Sequence, residues 1–204
     1  MLILRQILKM KIKDNKVIGL CGVAQSGKDT FCATAIKLFE KQGLAAKRVS
    51  FADALKADVN DFLMEKIGIS AFTTKLEEKT LIRDFLVAYG TKLMRRRDEN
   101  CWINKARELV NSNTKEGVTT IITDIRYENE IDWVQKELKG LCLHITRKSP
   151  EGSGVVPPAN KEEEKNDPIL KKKCDRALQW ASIEEEEVLA WVVADELDQL
   201  FNLK

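Results

Sequence analysis

Strong charge of either sign is missing from this chain: 34 basic and 32 acidic residues leave a formal net charge of +2 over 204 residues. Such a balance supplies no field to gather nucleic acid, and aromatics at 6% leave no basic, aromatic-rich stripe on which bases could stack. No run approaches the ~18 apolar residues that a membrane span needs. The apolar start, Met1–Met10, is broken by charge and lacks a small-residue cleavage site. Residues 1–15 are therefore expected to form a short helix or an extension ahead of the working domain. The five cysteines, at 21, 32, 101, 142 and 174, show no C-x-x-C pairing, which predicts reduced thiols in a cytoplasmic protein. Histidine occurs once, as His144 inside the strand-like Leu141–Ile145, where a structural role is expected rather than a metal or catalytic one. Proline is confined to positions 150–168, alongside Gly152 and Gly154. Residues 147–173 are accordingly predicted to be a long, lid-like surface loop.

What is present is organised around one stretch. Val17-Ile18-Gly19-Leu20-Cys21 has the length and apolar character of a buried strand. Gly22-Val23-Ala24-Gln25-Ser26-Gly27-Lys28-Asp29-Thr30 follows, and a helix-period segment begins there. Strand, glycine-bounded loop, lysine and helix together form the context of a phosphate-binding P-loop. The glycines let successive N–H groups turn inward around a phosphate chain, and the helix start adds unpaired donors. Lys28 supplies a point charge to the β- and γ-phosphates. One position departs from G-x-x-x-x-G-K-[ST]: Asp29 stands where a hydroxyl usually meets magnesium, with Thr30 one place later. The stretch predicts a nucleoside triphosphate site with Gly22, Gly27, Lys28, Asp29 and Thr30 as its residues.

The rest of the chain, at 44% hydrophobic, alternates strands and helices. Strands are expected at 46–51, 117–124, 141–146 and 177–181. Helices are expected up to Gly43, from an Asp53 cap, through Ile82–Leu93, through Trp102–Val110, around Ile131–Leu138, and from a Ser182/Glu185 capping box. Residues 68–80 read as irregular. This pattern implies a parallel sheet of about five strands with helices on both faces, plus a helical insertion at 53–112. Ligands of such sheets collect beyond the carboxyl ends of the strands, which puts Asp124 and Arg126 on the rim of the P-loop. Asp124 ends an apolar strand, the position of a magnesium-holding carboxylate, so Asp29 and Asp124 are the candidate metal residues. Arg126 can clamp a phosphate in bidentate fashion, and Arg83 and Arg95–Arg97 add positive charge in the helical part.

Ser26–Thr30, Phe51–Lys56, Tyr89-Gly90-Thr91 through Trp102, and the D-x-R-x-x-x-E block Asp124–Glu130 together resemble bacteriophage-type deoxynucleoside monophosphate kinases. The similarity runs over roughly residues 16–202 and extends to Cys174-Asp175-Arg176 and the closing helix. It implies a single P-loop kinase domain that moves the ATP γ-phosphoryl, with Mg2+, onto a deoxynucleoside 5′-monophosphate. By the same resemblance Gly27 to Thr30 fall on the ATP side. Lys56, Arg83, Arg95, Trp102, Asp124, Arg126 and Glu130 fall on the monophosphate side, with Lys28, Arg126 and Asp124 at the chemistry. Ala24 and Gln25 depart from relatives that are basic there. The lid residue among Arg147, Lys148, Lys161 and Lys165 is left open. A cytoplasmic enzyme is implied (the host's cytoplasm if phage-encoded), possible as a homodimer, with no nucleic-acid or membrane partner. Two alternatives stand beside it. One is a kinase of another small acceptor, such as dephospho-coenzyme A or phosphomevalonate. The other is a nucleotide switch without an acceptor.

Overall fold

The computed structural model describes residues 17–149 and 154–202, so the expectations for residues 1–15 lie outside it. The chain divides into two compact units, one running up to Arg48 and resuming at Val110, the other spanning Val49–Leu109. The elements in order are β1 (Val17–Cys21), α1 (Lys28–Lys41), β2 (Ala46–Val49), α2 (Phe51–Ile67), α3 (Leu76–Val87), α4 (Cys101–Lys115), β3 (Thr119–Ile125), α5 (Glu128–Asp132), β4 (Leu141–Arg147), α6 (Lys161–Lys173), β5 (Arg176–Trp180) and α7 (Glu186–Phe201). Wider, π-type turns extend α3 over Ala88–Arg95 and α5 over Trp133–Glu137.

The first unit holds a five-stranded sheet in the order β2-β3-β1-β4-β5. β1 pairs in parallel with β3 and with β4, and β4 pairs in parallel with β5. All five residues of β1 are buried, which is why it reads as a continuous apolar run rather than an alternating one. Alternate side chains nonetheless serve opposite faces. Ile18 and Leu20 join Phe31, Leu38 and Phe39 of α1 and Val193, Leu197 and Leu200 of α7 in one core. Gly19 lies against Ile125, Cys142 and Val134, where a Cβ has no room. Helical segments therefore cover both faces, in the α/β arrangement that the alternation of strands and helices predicts.

All five cysteines are free thiols, four of them buried. Burial pushes the Cys32 thiol up to about 12 and raises Cys21 strongly, so neither is a ready thiolate. His144 is buried in β4; its Nε2 lies 2.9 Å from Asp167 of α6 and its Nδ1 3.3 Å from the Thr146 hydroxyl. It pins α6 to the sheet.

Several local expectations are corrected. Residues 161–173 form a helix rather than a loop. The Asn160 side chain accepts from the Glu163 N–H at 2.9 Å, Glu162–Glu164 occupy the first turn, and Lys171–Lys173 the last, matching the helix dipole at both ends. Pro168 sits inside this helix without ending it. The Ser182/Glu185 capping box does not form: α7 begins at Glu186, and the Ser182 hydroxyl instead accepts from Arg147. Ser50, not Asp53, holds the cap position of α2, leaving Asp53 in its first turn. α3 starts at Leu76, inside the stretch read as irregular, with Glu77 and Glu78 in its first turn.

The second unit is helical and has a core of its own. Val59, Leu63, Ala71 and Ile82 are buried together, with Ile69, Leu86 and Tyr89 packed against them. Phe62, Phe85, Tyr89 and Trp102 form a succession of rings with centroids 5.8, 6.3 and 6.3 Å apart. Gly90 lies against Leu55, where a side chain would collide.

Candidate phosphate-binding site

The loop after β1 is shaped by three left-handed residues, Gly22 (φ 129°), Gln25 (φ 63°) and Gly27 (φ 96°). At Gly22 an added Cβ would run into the Ile145 carbonyl, and at Gly27 it would lie 2.5 Å from the Trp180 indole. Both motif glycines thus answer to backbone angle and to space at once. The Ser26 N–H donates to the Val23 carbonyl at 3.2 Å, closing the loop, and the Phe31 N–H donates to Gly27 at 2.9 Å, opening α1.

Lys28 is folded inward. Its Nζ donates to the carbonyls of Gly22 (2.8 Å) and Val23 (2.6 Å) and to the Ser26 hydroxyl (3.3 Å). Burial lowers its pKa, the Arg126 guanidinium lowers it further, and Glu163, Asp29 and Asp124 act in the opposite direction. The Lys28 amine is therefore surrounded by both signs of charge.

The D-x-R-x-x-x-E block lies on the same rim, because Ile125 of β3 is paired with Cys21 at the end of β1. Glu130 is buried, and its Oε2 accepts from the backbone N–H of Arg126 (2.8 Å) and of Tyr127 (3.1 Å). The four-residue spacing has a physical origin. The chain turns at Arg126-Tyr127, and the first turn of α5 brings Glu130 back onto those amides. Glu130 thus holds the backbone that carries Arg126. The guanidinium itself, about half exposed, donates from Nη1 to Glu163 Oε1 at 2.6 Å.

Glu163, which sequence reasoning passed over, is the junction of the site. Only 7% exposed, its Oε2 accepts from the Ala24 N–H of the P-loop (3.2 Å) and from the Ala159 N–H (2.9 Å). Trp180 was likewise missed as more than a strand end. Its indole N–H donates to the Ser26 carbonyl at 2.9 Å, and its ring packs 6.2 Å from Phe31. Beside Gly27 an open recess of about 100 Å³ is lined by Thr30, Arg147, Trp180, Ser182, Ile183 and Leu189. The rule that ligands gather past the carboxyl ends of parallel strands could have flagged Trp180; Arg147, one of the four lid candidates, lines this recess, and nothing in the sequence singled out Glu163.

The remaining candidates belong to the helical unit. Lys56 lies over the Phe72 ring at 5.7 Å, and Arg83 is exposed. Arg95 is half-buried at the end of the wide-turn segment. Trp102 is buried and donates its indole N–H to the Gly90 carbonyl at 3.3 Å, so that it fills the unit's interior rather than presenting a polar edge.

Among the described residues, no three His, Cys, Asp or Glu side chains converge on one point. Asp29 is largely exposed, with Arg48 Nε 3.7 Å from its Oδ1, and Asp124 is half-buried at the end of β3. Both carboxylates act on Lys28 electrostatically. Each is a hard oxygen donor, the ligand type that magnesium prefers.

No described helix is long and apolar enough to cross a membrane. No protein-family pattern and no curated protein matches the chain. Solved structures to which it is similar include the dephospho-CoA kinase from Campylobacter jejuni (15% identity, 90% of this chain and 97% of that one covered, TM-score 0.48). They also include the shikimate kinase from Bacteroides thetaiotaomicron (11% identity, 92% and 98% covered, TM-score 0.44). A third is the Mycobacterium tuberculosis APS kinase in complex with AMPPNP and APS (13% identity, 90% and 97% covered, TM-score 0.41).

Proposed function

We propose that this chain transfers the ATP γ-phosphoryl group to a small phosphorylated acceptor, a deoxynucleoside 5′-monophosphate by the resemblance of its motifs. The observation that carries this reading is the pairing of two cationic groups on one rim, Lys28 inside the P-loop and Arg126 beside it. A switch that only binds and hydrolyses nucleotide needs the first of these; a second phosphate clamp serves an acceptor.

In this reading the P-loop amides and the start of α1 receive the triphosphate, and the recess by Thr30 and Trp180 takes the nucleoside end of ATP. Lys28 turns from the loop carbonyls to the β- and γ-oxygens. Arg126, its backbone held by Glu130, grips the acceptor phosphate. Asp29 and Asp124 would hold the magnesium ion, which when bound supplies charge neutralisation at phosphate oxygens. The transition state of phosphoryl transfer is loose, so alignment and charge suffice and no protein nucleophile is required. Lys56, Arg83 and Arg95 are the helical unit's candidates for the acceptor; Trp102 supports that unit from within.

A panel of acceptors incubated with ATP and magnesium tests the reading: deoxynucleoside monophosphates, dephospho-coenzyme A, phosphomevalonate, and no acceptor. Stimulation by deoxynucleoside monophosphates alone is expected. Slow hydrolysis that no acceptor stimulates would replace this reading with a nucleotide switch. On the stimulating acceptor, Arg126→Lys should raise the acceptor KM well above that for ATP, because an ammonium cannot reproduce a bidentate fork. Equal weakening toward both substrates would place Arg126 outside the acceptor site.

Asp29 carries a separate expectation. As an exposed residue of the first turn it favours the helix dipole by roughly 0.3–1 kcal/mol, whatever else it does. If it holds magnesium, Asp29→Asn should raise the magnesium concentration needed for half-maximal activity, while Thr30→Val should mainly weaken ATP binding. Unchanged magnesium dependence with only a lowered melting temperature would leave Asp29 as a helix-end charge.

A further inference from the structure

Glu163 takes the donors that an incoming phosphate would need. Its carboxylate is buried, yet it sits on a P-loop amide, Ala24 N–H at 3.2 Å, and on the Arg126 guanidinium at 2.6 Å. A buried carboxylate is tolerable only when charge-assisted hydrogen bonds replace its water, and these donors, with Ala159 N–H at 2.9 Å, do so. The geometry of three acid-seeking donors around one pair of oxygens is that of an anion subsite. Two of these donors, at 24 and 126, come from segments far from Glu163 in the chain; the third, Ala159 N–H, is local, four residues before it at the start of α6.

We propose that Ala24 N–H and Arg126 form a phosphomonoester subsite, and that Glu163 is its internal occupant, displaced when the ligand's phosphate arrives. This rests on the reading of Arg126 as a phosphate clamp. A carboxylate offers one negative charge, whereas a phosphomonoester near neutral pH offers between one and two and three acceptor oxygens. The phosphate therefore outcompetes the glutamate on the same donors. Displacement need not unseat α6, because that helix is also held by the buried His144–Asp167 contact and by buried Leu170. The side chain of Glu163 and the first turn of α6 move, and Arg126 changes partner without changing place. Glu163 thereby keeps Arg126 aimed and the site closed to weaker anions in the ligand-free chain, at the expense of affinity.

Inorganic phosphate is the probe. Glu163→Gln keeps the shape and one acceptor oxygen but removes the competing charge. Calorimetric titration should show phosphate bound about five- to tenfold more tightly than by the unaltered protein. Adding Arg126→Ala to that variant should abolish the gain. Phosphate affinity that is unchanged or weaker in folded Glu163→Gln, or a gain that survives Arg126→Ala, overturns the proposal. A second measurement needs no substitution. In the unaltered protein, saturating phosphate should speed hydrogen exchange at the Ala159 amide, which loses its acceptor; unaltered exchange there overturns the proposal as well. Neither readout depends on turnover, so an acceptor panel without a hit would remove the kinase reading and leave these results to stand or fall by themselves.

Discussion

Lys28→Ala is expected to fold and to lose at least ~10²-fold in turnover, the scale of withdrawing one preorganised charge from a transition state. The fold will also feel the change. The lysine Nζ donates to Gly22, Val23 and Ser26, and two of those acceptors are main-chain carbonyls that close the loop. Leaving them unmet costs about 1–3 kcal/mol. Lys28→Met, which keeps the apolar stem, separates the two effects: it should recover part of the packing and none of the rate. A triphosphate brought alongside favours the charged amine and so opposes the depression that burial and Arg126 impose. Denaturant unfolding with single-turnover kinetics checks both parts. Near-normal turnover in a folded Lys28→Met protein would remove the P-loop assignment.

Trp180→Ala should have the largest effect on stability. The ring is buried in the main core, packs against Phe31, and fills the space that a Gly27 side chain would enter. Truncating a buried tryptophan costs about 3–5 kcal/mol, and a chain of this size loses about 2–4 °C per kcal/mol, so a fall of roughly 6–20 °C in Tm is expected. The substitution also withdraws the indole N–H from the Ser26 carbonyl. Trp180→Phe isolates that bond: stability should largely hold while the ATP KM rises several-fold with the acceptor KM unmoved. A Tm within a degree of the parent for Trp180→Ala would show that the indole does not brace the loop.

The sheet and the P-loop were legible because their physics is local. A strand buried on both faces must be apolar throughout, and a backbone at φ 96° against an indole must be glycine. The helix α6 was hidden by its composition. It buries Leu170, Glu163 and little else, so it carries no apolar period, and Pro168 argued against it. Its signals were the Asn160 cap and the sorting of acidic and basic residues to opposite ends. Glu163 was illegible for a related reason. Within a Glu/Lys-rich stretch it looks like solvated surface, and its partners lie 4, 37 and 139 residues away. Glu130 carried the reverse lesson. The motif that contains it was easy to see, yet its carboxylate is turned to the backbone of Arg126 and Tyr127.

The position of β1 in the middle of the sheet governs how the chain can be made. Val17 finds its neighbour at Thr120, and Ile18 finds one at Leu141. Closing such long loops must precede any reward from pairing, so topology of this kind folds slowly. At ribosomal speeds β1 waits on the order of 5–20 s before β3 exists at all. During that interval a segment destined for complete burial stands open to chaperones and to other nascent chains. The P-loop thus leaves the ribosome well before the strands that must flank it, and acquires its shape only after them.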